Sequence, residues 1–68
     1  MNYTAFKFST LLSAAYSMEQ KILEIMFADG STQQYADVPS TTYFSLINAY
    51  SHDRYFENYI KSIFNPVQ

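Results

Sequence analysis

The residues that could carry chemistry in this chain include the tripeptide Ser51-His52-Asp53, which has the residue types of a hydrolase triad. A triad needs its nucleophile, base and orienting carboxylate to meet side chain to side chain, and three consecutive residues cannot do so. We therefore interpret the tripeptide as a turn. His52 is the only histidine and the chain has no cysteine, so we expect a solvated loop histidine and no metal site.

The remaining residue types used in catalysis are isolated. The single glycine, Gly30, cannot form a glycine-rich phosphate loop. The carboxylates are dispersed, as expected of turns and exposed faces; they are Glu19, Glu24, Asp29, Asp37, Asp53 and Glu57. We therefore expect no enzymatic activity and no cofactor.

Two groups of residues are better suited to binding. Arg54, Asn58 and Lys61 share one face of a predicted helix that Tyr55 borders, which fits an anion contact with a stacking ring. An ordinary solvated face with a Glu57–Lys61 ion pair is the alternative. On the third predicted strand, Tyr35 and Gln33 share a face and could stack on or hydrogen-bond a base; Tyr35 could equally be a core residue with its hydroxyl at the rim.

Length and charge narrow the class of protein. Sixty-eight residues predict one domain over 1–68, with an N-terminal extension at 1–8 and a core at 9–64. The net charge of −2 disfavours duplex DNA as a partner. The apolar stretch near the N-terminus is short and interrupted, so we expect neither a signal peptide nor a membrane segment. Together with the lack of cysteine, this favours a cytoplasmic protein.

The elements that must position these residues follow from periodicity. Leu11–Tyr16 is predicted to be a strand, and residues 21–27 alternate so that Leu23, Ile25 and Phe27 share a face. Asp29-Gly30 predicts a tight turn, with residues 31–36 returning as the hairpin partner. The predicted fold is α+β: a three-stranded antiparallel sheet followed by two helices packed on one face.

The two predicted helices carry the apolar stripes. Pro39 suits the first turn of one helix and Ser51 is a good N-cap for the other, which Pro66 terminates. The first stripe comprises Tyr43, Leu46, Ile47 and Tyr50. The second comprises Phe56, Tyr59, Ile60, Ile63 and Phe64. Tyr43, Tyr50 and Tyr59 are therefore predicted to be core residues.

Ile22 and Met26 lie on the other face of the second predicted strand, where polar residues are usual. Either the segment 2–8 folds across and covers them, or they form a subunit interface or the wall of a ligand site. Phe44, off the main stripe of its helix, is either a rim residue or an exposed contact. Ile22, Met26 and Phe44 are the candidate oligomer interface.

The order and spacing of a longer set of residues resemble the KTSC domain family over Ser9 to Phe64. These residues are Tyr16, Leu23–Phe27, Asp29-Gly30-Ser31, Tyr35, Val38-Pro39, Tyr43, Leu46–Ala49, Ser51, Arg54-Tyr55-Phe56, Ile60-Lys61 and Phe64. The resemblance implies a short domain of bacterial or phage origin, a type also appended to some lysyl-tRNA synthetases. RNA binding is the function usually suggested for it.

The sequence departs from the family pattern at two positions. A Tyr-x-Tyr pair of the family corresponds to Gln33-Gln34-Tyr35, so only one ring is present. Asp53 stands where a glycine is usual, and we expect its charge to repel a phosphate at that turn.

Three functions remain open from the sequence. The first is a homo-oligomer that binds or sequesters a small nucleotide-like or other anionic ligand. The second is single-stranded RNA binding, and the third is a protein–protein adaptor.

Overall fold

The fold combines five strands with a helical layer, in a computed structural model that describes residues 3–6 and 9–67. In chain order the elements are β1 (Tyr3–Ala5), β2 (Leu11–Ser17), β3 (Ile22–Phe27), β4 (Thr32–Tyr35), α1 (Ser40–Ile47), α2 (His52–Phe56) with a π-helical turn (Glu57–Lys61), and β5 (Pro66–Val67). The predicted α+β class and the order of the central strands and helices are confirmed. The predicted number of three strands is wrong.

The two additional strands are the edges of the sheet. All neighbours pair antiparallel in the order β1-β2-β3-β4-β5. β1 lies beside β2 with Tyr3 opposite Ala15, so this part of the N-terminal segment extends the sheet instead of folding across it. β5 pairs with β4 through Pro66 opposite Tyr35. Strands of three and two residues have too little alternation to be recognised, and proline is tolerated at a sheet edge.

The β3–β4 hairpin follows the predicted alternation. Leu23 and Ile25 are fully buried on the face toward the helices. Gly30 has a φ of +92°, which glycine adopts without strain. The Asp29 carboxylate accepts hydrogen bonds from the Ser31 hydroxyl and the Ser31 N–H, at 2.6 and 2.9 Å, and these bonds lower the pKa of Asp29. The turn is therefore stabilised by its own side chains.

The core lies between one face of the sheet and the helical layer. Its buried members are Phe6, Leu11, Ala14, Leu23, Ile25, Tyr35, Val38, Leu46, Phe56 and Ile60. Tyr43 packs partly buried at its margin, with its ring stacked on Tyr16 at 5.2 Å and its hydroxyl 3.1 Å from that of Thr4. The prediction that Tyr43 belongs to the apolar stripe is thus consistent with the packing.

Two other predicted core tyrosines are at the surface. Helix α1 ends at Ile47, so Tyr50 falls in the connection and is fully exposed, with a relative exposure of 107%. Tyr59 is 54% exposed and Ile63 is 61% exposed, whereas Phe56 and Ile60 are buried as predicted. A π-helical turn is wider than an α-helical turn, so each residue advances through a smaller angle. We attribute the outward position of Tyr59 to this change of period.

Candidate functional site

A groove lies along the outer side of α2, where the α1–α2 connection passes it. Its volume is about 390 Å³, and its lining residues are Ala49, Tyr50, Ser51, Arg54, Tyr55, Asn58 and Tyr59. Three predicted binding residues, Arg54, Tyr55 and Asn58, therefore line one groove. A volume near the lower end of ordinary ligand sites, roughly 300–1,000 Å³, suits a small molecule.

The groove is mainly aromatic. The rings of Tyr55 and Tyr59 lie 4.8 Å apart at an interplanar angle of 34°. Tyr55 is partly buried against the core, which holds its ring in place, and Tyr59 is exposed beside it. Tyr50 contributes a third, fully exposed ring from the connection. Rings arranged this way can stack on a planar ligand.

Arg54 supplies the charge of the groove. It is exposed, and it is the one charged residue among the described residues that line the groove. Its backbone N–H donates to the Ser51 hydroxyl at 3.3 Å, which confirms Ser51 as the N-cap of α2. The guanidinium group can donate two parallel hydrogen bonds to a phosphate or carboxylate. Asn58 adds an exposed amide that can donate and accept.

The Asp53 carboxylate makes its hydrogen bonds outside the groove. Its Oδ1 accepts hydrogen bonds from the Ser9 hydroxyl at 2.6 Å, the Thr10 hydroxyl at 2.9 Å and the Thr10 N–H at 3.0 Å. The bond from Ser9 is the main cause that lowers the pKa of Asp53, and burial opposes it. We call these contacts the Asp53 clasp. Because the clasp ties the carboxylate to the segment before β2, Asp53 does not line the groove.

His52 is held by the core rather than left in solvent. Its ring stacks on Phe6 with centroids 4.2 Å apart, and its Nδ1–H donates to the Leu46 carbonyl at 2.8 Å. The expectation of a solvated loop histidine is wrong. The Phe6 contact could not be read from the sequence, because it joins residues 46 positions apart that periodicity does not relate.

The other predicted binding residues lie outside the groove. Tyr35 is 5% exposed and packs edge-on against Phe56 at 5.8 Å; burial, with Glu57 as a second cause, raises the pKa of its hydroxyl. Its ring is thus a core ring, unavailable for stacking on a ligand. Gln33 donates from its amide to the Val67 carbonyl at 3.1 Å. Lys61 lies 3.8 Å from Glu57, so the predicted ion pair is present.

The candidate interface residues divide between two surfaces. Ile22 and Met26 are partly buried on the sheet face opposite the helices. Phe44 belongs to α1 in the helical layer and is 50% exposed. The three residues therefore cannot form one continuous patch.

Sequence reasoning missed Tyr50, Tyr59, Ala49 and Ser51 as lining residues. The spacing of the two tyrosines matches an unbroken α-helical period, which predicts core positions for both. The Asn48-Ala49-Tyr50-Ser51 run, where an N-cap serine must interrupt the helix, was the available signal that Tyr50 falls outside it.

Comparison with known proteins shows similarity along nearly the whole chain. The sequence model of the KTSC domain family matches residues 9–64. A protein of Stutzerimonas stutzeri (strain A1501) described as uncharacterized is 36% identical over 61 residues, covering 90% of this chain and 86% of that protein. The crystal structure of a KTSC domain protein from Yersinia pestis superposes with a TM-score of 0.91 and 30% identity, over 98% of this chain and 94% of that one.

Proposed function

The chain belongs to the KTSC domain family, and on that premise we propose that it is a non-catalytic module that binds a small nucleotide-like ligand in the groove. The observation that carries the proposal is the adjacency of the Tyr55–Tyr59 ring pair and the Arg54 guanidinium group in one groove. A nucleotide offers a planar base and a phosphate, which are the partners that these two features suit.

One further support is that the Asp53 clasp directs this carboxylate toward Ser9 and Thr10, so it does not line the groove. With its carboxylate bound to Ser9 and Thr10, Asp53 is turned toward the segment before β2. An anion in the groove would then meet Arg54 first. We further propose that the protein acts in the cytoplasm by sequestering or sensing its ligand. Among the described residues, no helix has the length and apolarity needed to cross a membrane.

Titration with adenosine monophosphate tests the proposal through tyrosine fluorescence, which is usable because the chain has no tryptophan. We expect saturable quenching, and we expect Arg54→Gln to weaken binding about tenfold, since hydrogen bonds to a charged group contribute about 1.5–3 kcal/mol. Lys21→Gln is the matched control, because it removes one positive charge from the β2–β3 turn, outside the groove. Equal affinities of the two variants would argue against a phosphate contact at Arg54.

Single-stranded RNA binding and partner-protein binding are the alternatives that the same experiments separate. RNA binding would show an affinity that falls steeply with salt, because many phosphates must be neutralised. Saturable binding of a mononucleotide with a shallow salt dependence supports the small-ligand proposal. An adaptor would bind neither probe.

We also propose that the protein self-associates through the open face of the sheet. Ile22 and Met26 lie there, and no described helix covers that face. A domain of this size has a thin core, so burying a second apolar surface would stabilise it.

Light scattering of the wild-type protein at micromolar concentration is expected to give a multimer, which Met26→Asp should dissociate because an unpaired charge at an interface is costly. Ile63→Asp serves as the control, since Ile63 is exposed after the π-helical turn and away from the open sheet face. A monomeric wild type would contradict the proposed self-association.

A further inference from the structure

We infer that the groove selects ligands with a single phosphate, of the nucleoside monophosphate class, and that Glu57 sets this selectivity. The inference rests on the proposed function and adds a limit on ligand charge. It follows from the number and placement of the charged side chains around the groove.

The described residues that line the groove carry one positively charged group, a guanidinium. Arg54 is the sole charged residue among the described residues that line the groove. Lys61 does not line it, and its ammonium group lies 3.8 Å from the Glu57 carboxylate. One guanidinium group can donate two parallel hydrogen bonds to two oxygens of one phosphate, which leaves no second cationic group in the groove for another phosphate.

The negatively charged group that follows Arg54 along the helix is the Glu57 carboxylate. It is exposed and follows Arg54 by three residues in the same continuous helical segment, so the two side chains emerge on neighbouring parts of the surface. A second or third phosphate extending beyond Arg54 would add negative charge beside this carboxylate, which Lys61 compensates only in part because their ion pair is long and exposed. Asp53 is a further carboxylate at the start of α2, although the clasp directs it toward Ser9 and Thr10.

The size of the groove agrees with the presence of a single cationic group in it. A volume of about 390 Å³ is small for a ligand site. The Tyr55–Tyr59 pair offers stacking surface for one base, and Asn58 offers one amide for its edge. The groove thus offers contacts for one base and one phosphate.

Calorimetric titration with adenosine mono-, di- and triphosphate, in low salt and without divalent cations, tests the inference. We expect the monophosphate to bind tightest, with affinity falling about two- to fivefold for each added phosphate, which is the range that exposed charge pairs produce. Glu57→Gln removes the carboxylate and releases Lys61, so it should abolish or invert this ranking. Glu19→Gln, in the exposed β2–β3 turn, is the matched control and should keep the wild-type ranking.

Several outcomes would overturn the inference. Wild-type binding of the diphosphate or triphosphate as tight as that of the monophosphate would do so, because it requires positive charge that the groove does not supply. An unchanged ranking in Glu57→Gln would remove Glu57 as its determinant. Binding of a six-residue single-stranded RNA more than tenfold tighter than the monophosphate would replace it with a strand-binding site. If none of these probes binds, the proposed function fails together with the inference.

Discussion

Replacing Phe56 with alanine is expected to leave the domain largely unfolded at 25 °C. Phe56 is 3% exposed and packs edge-on against Phe27 and Tyr35, with centroids 5.7 and 5.8 Å away. Truncation of a buried phenylalanine to alanine costs about 3–5 kcal/mol. A single core of this size supplies about the same amount, 3–5 kcal/mol, so little stability would remain.

Urea denaturation followed by circular dichroism measures this effect. Phe56→Leu keeps most of the volume and should remain folded with a lower midpoint, because such swaps usually cost less than about 1.5 kcal/mol. Phe44→Ala makes the same chemical change at a half-exposed ring and should lower the free energy of unfolding by no more than about half as much as Phe56→Ala does. A fully stable Phe56→Ala protein would show that the α2–sheet contact is not the centre of the core.

Removing the Asp53 clasp is expected to destabilise the protein by about 1 kcal/mol near neutral pH. Asp53→Asn removes the charged carboxylate that accepts hydrogen bonds from Ser9 and Thr10. Hydrogen bonds to a charged group contribute about 1.5–3 kcal/mol, and less where solvent reaches them. The clasp joins the start of α2 to the segment before β2, 43 and 44 residues away in sequence. Its loss should therefore loosen the N-terminal strand first.

The contribution of Asp53 to the free energy of unfolding depends on pH. The folded-state pKa of Asp53 is lowered from its ordinary value of 3.8, so its contribution is present above that value and is lost as pH falls through the folded-state pKa. We expect the difference in unfolding free energy between wild type and Asp53→Asn to be constant from about pH 5 to 8 and to shrink below about pH 4. Asp29, whose pKa is also lowered, is present in both proteins and cancels. A difference that did not change with pH would mean that the carboxylate charge contributes nothing.

The local elements could be predicted from the sequence. Alternation along residues 22–27, the Asp29-Gly30 turn and the Ser51 cap each depend on neighbours within a few positions, and each is present in the structure. The Glu57–Lys61 pair is local in the same sense. Family membership also followed from the sequence, because the order and spacing of many weak patterns are specific when taken together.

The edges of the sheet and the form of the groove depended on tertiary structure. β1 and β5 are too short to show a period, and they become strands only because β2 and β4 offer unpaired backbone groups at their outer sides. α-Helical spacing predicts a core position for Tyr59, whereas the π-helical turn places Tyr59 in the groove. The sequence also allows Tyr35 to stack on a ligand, whereas its contact with Phe56 places the ring in the core.

The sequence by itself determined that the chain has isolated residues of catalytic type, a surplus of tyrosine rings and a cationic residue beside Tyr55 on a helix. Tertiary structure decided which rings share a surface with Arg54, and where the carboxylate of Asp53 points. The physical reason is that side-chain type and short-range period are properties of the chain. A groove, by contrast, is made by residues whose exposure depends on how the helices pack on the sheet.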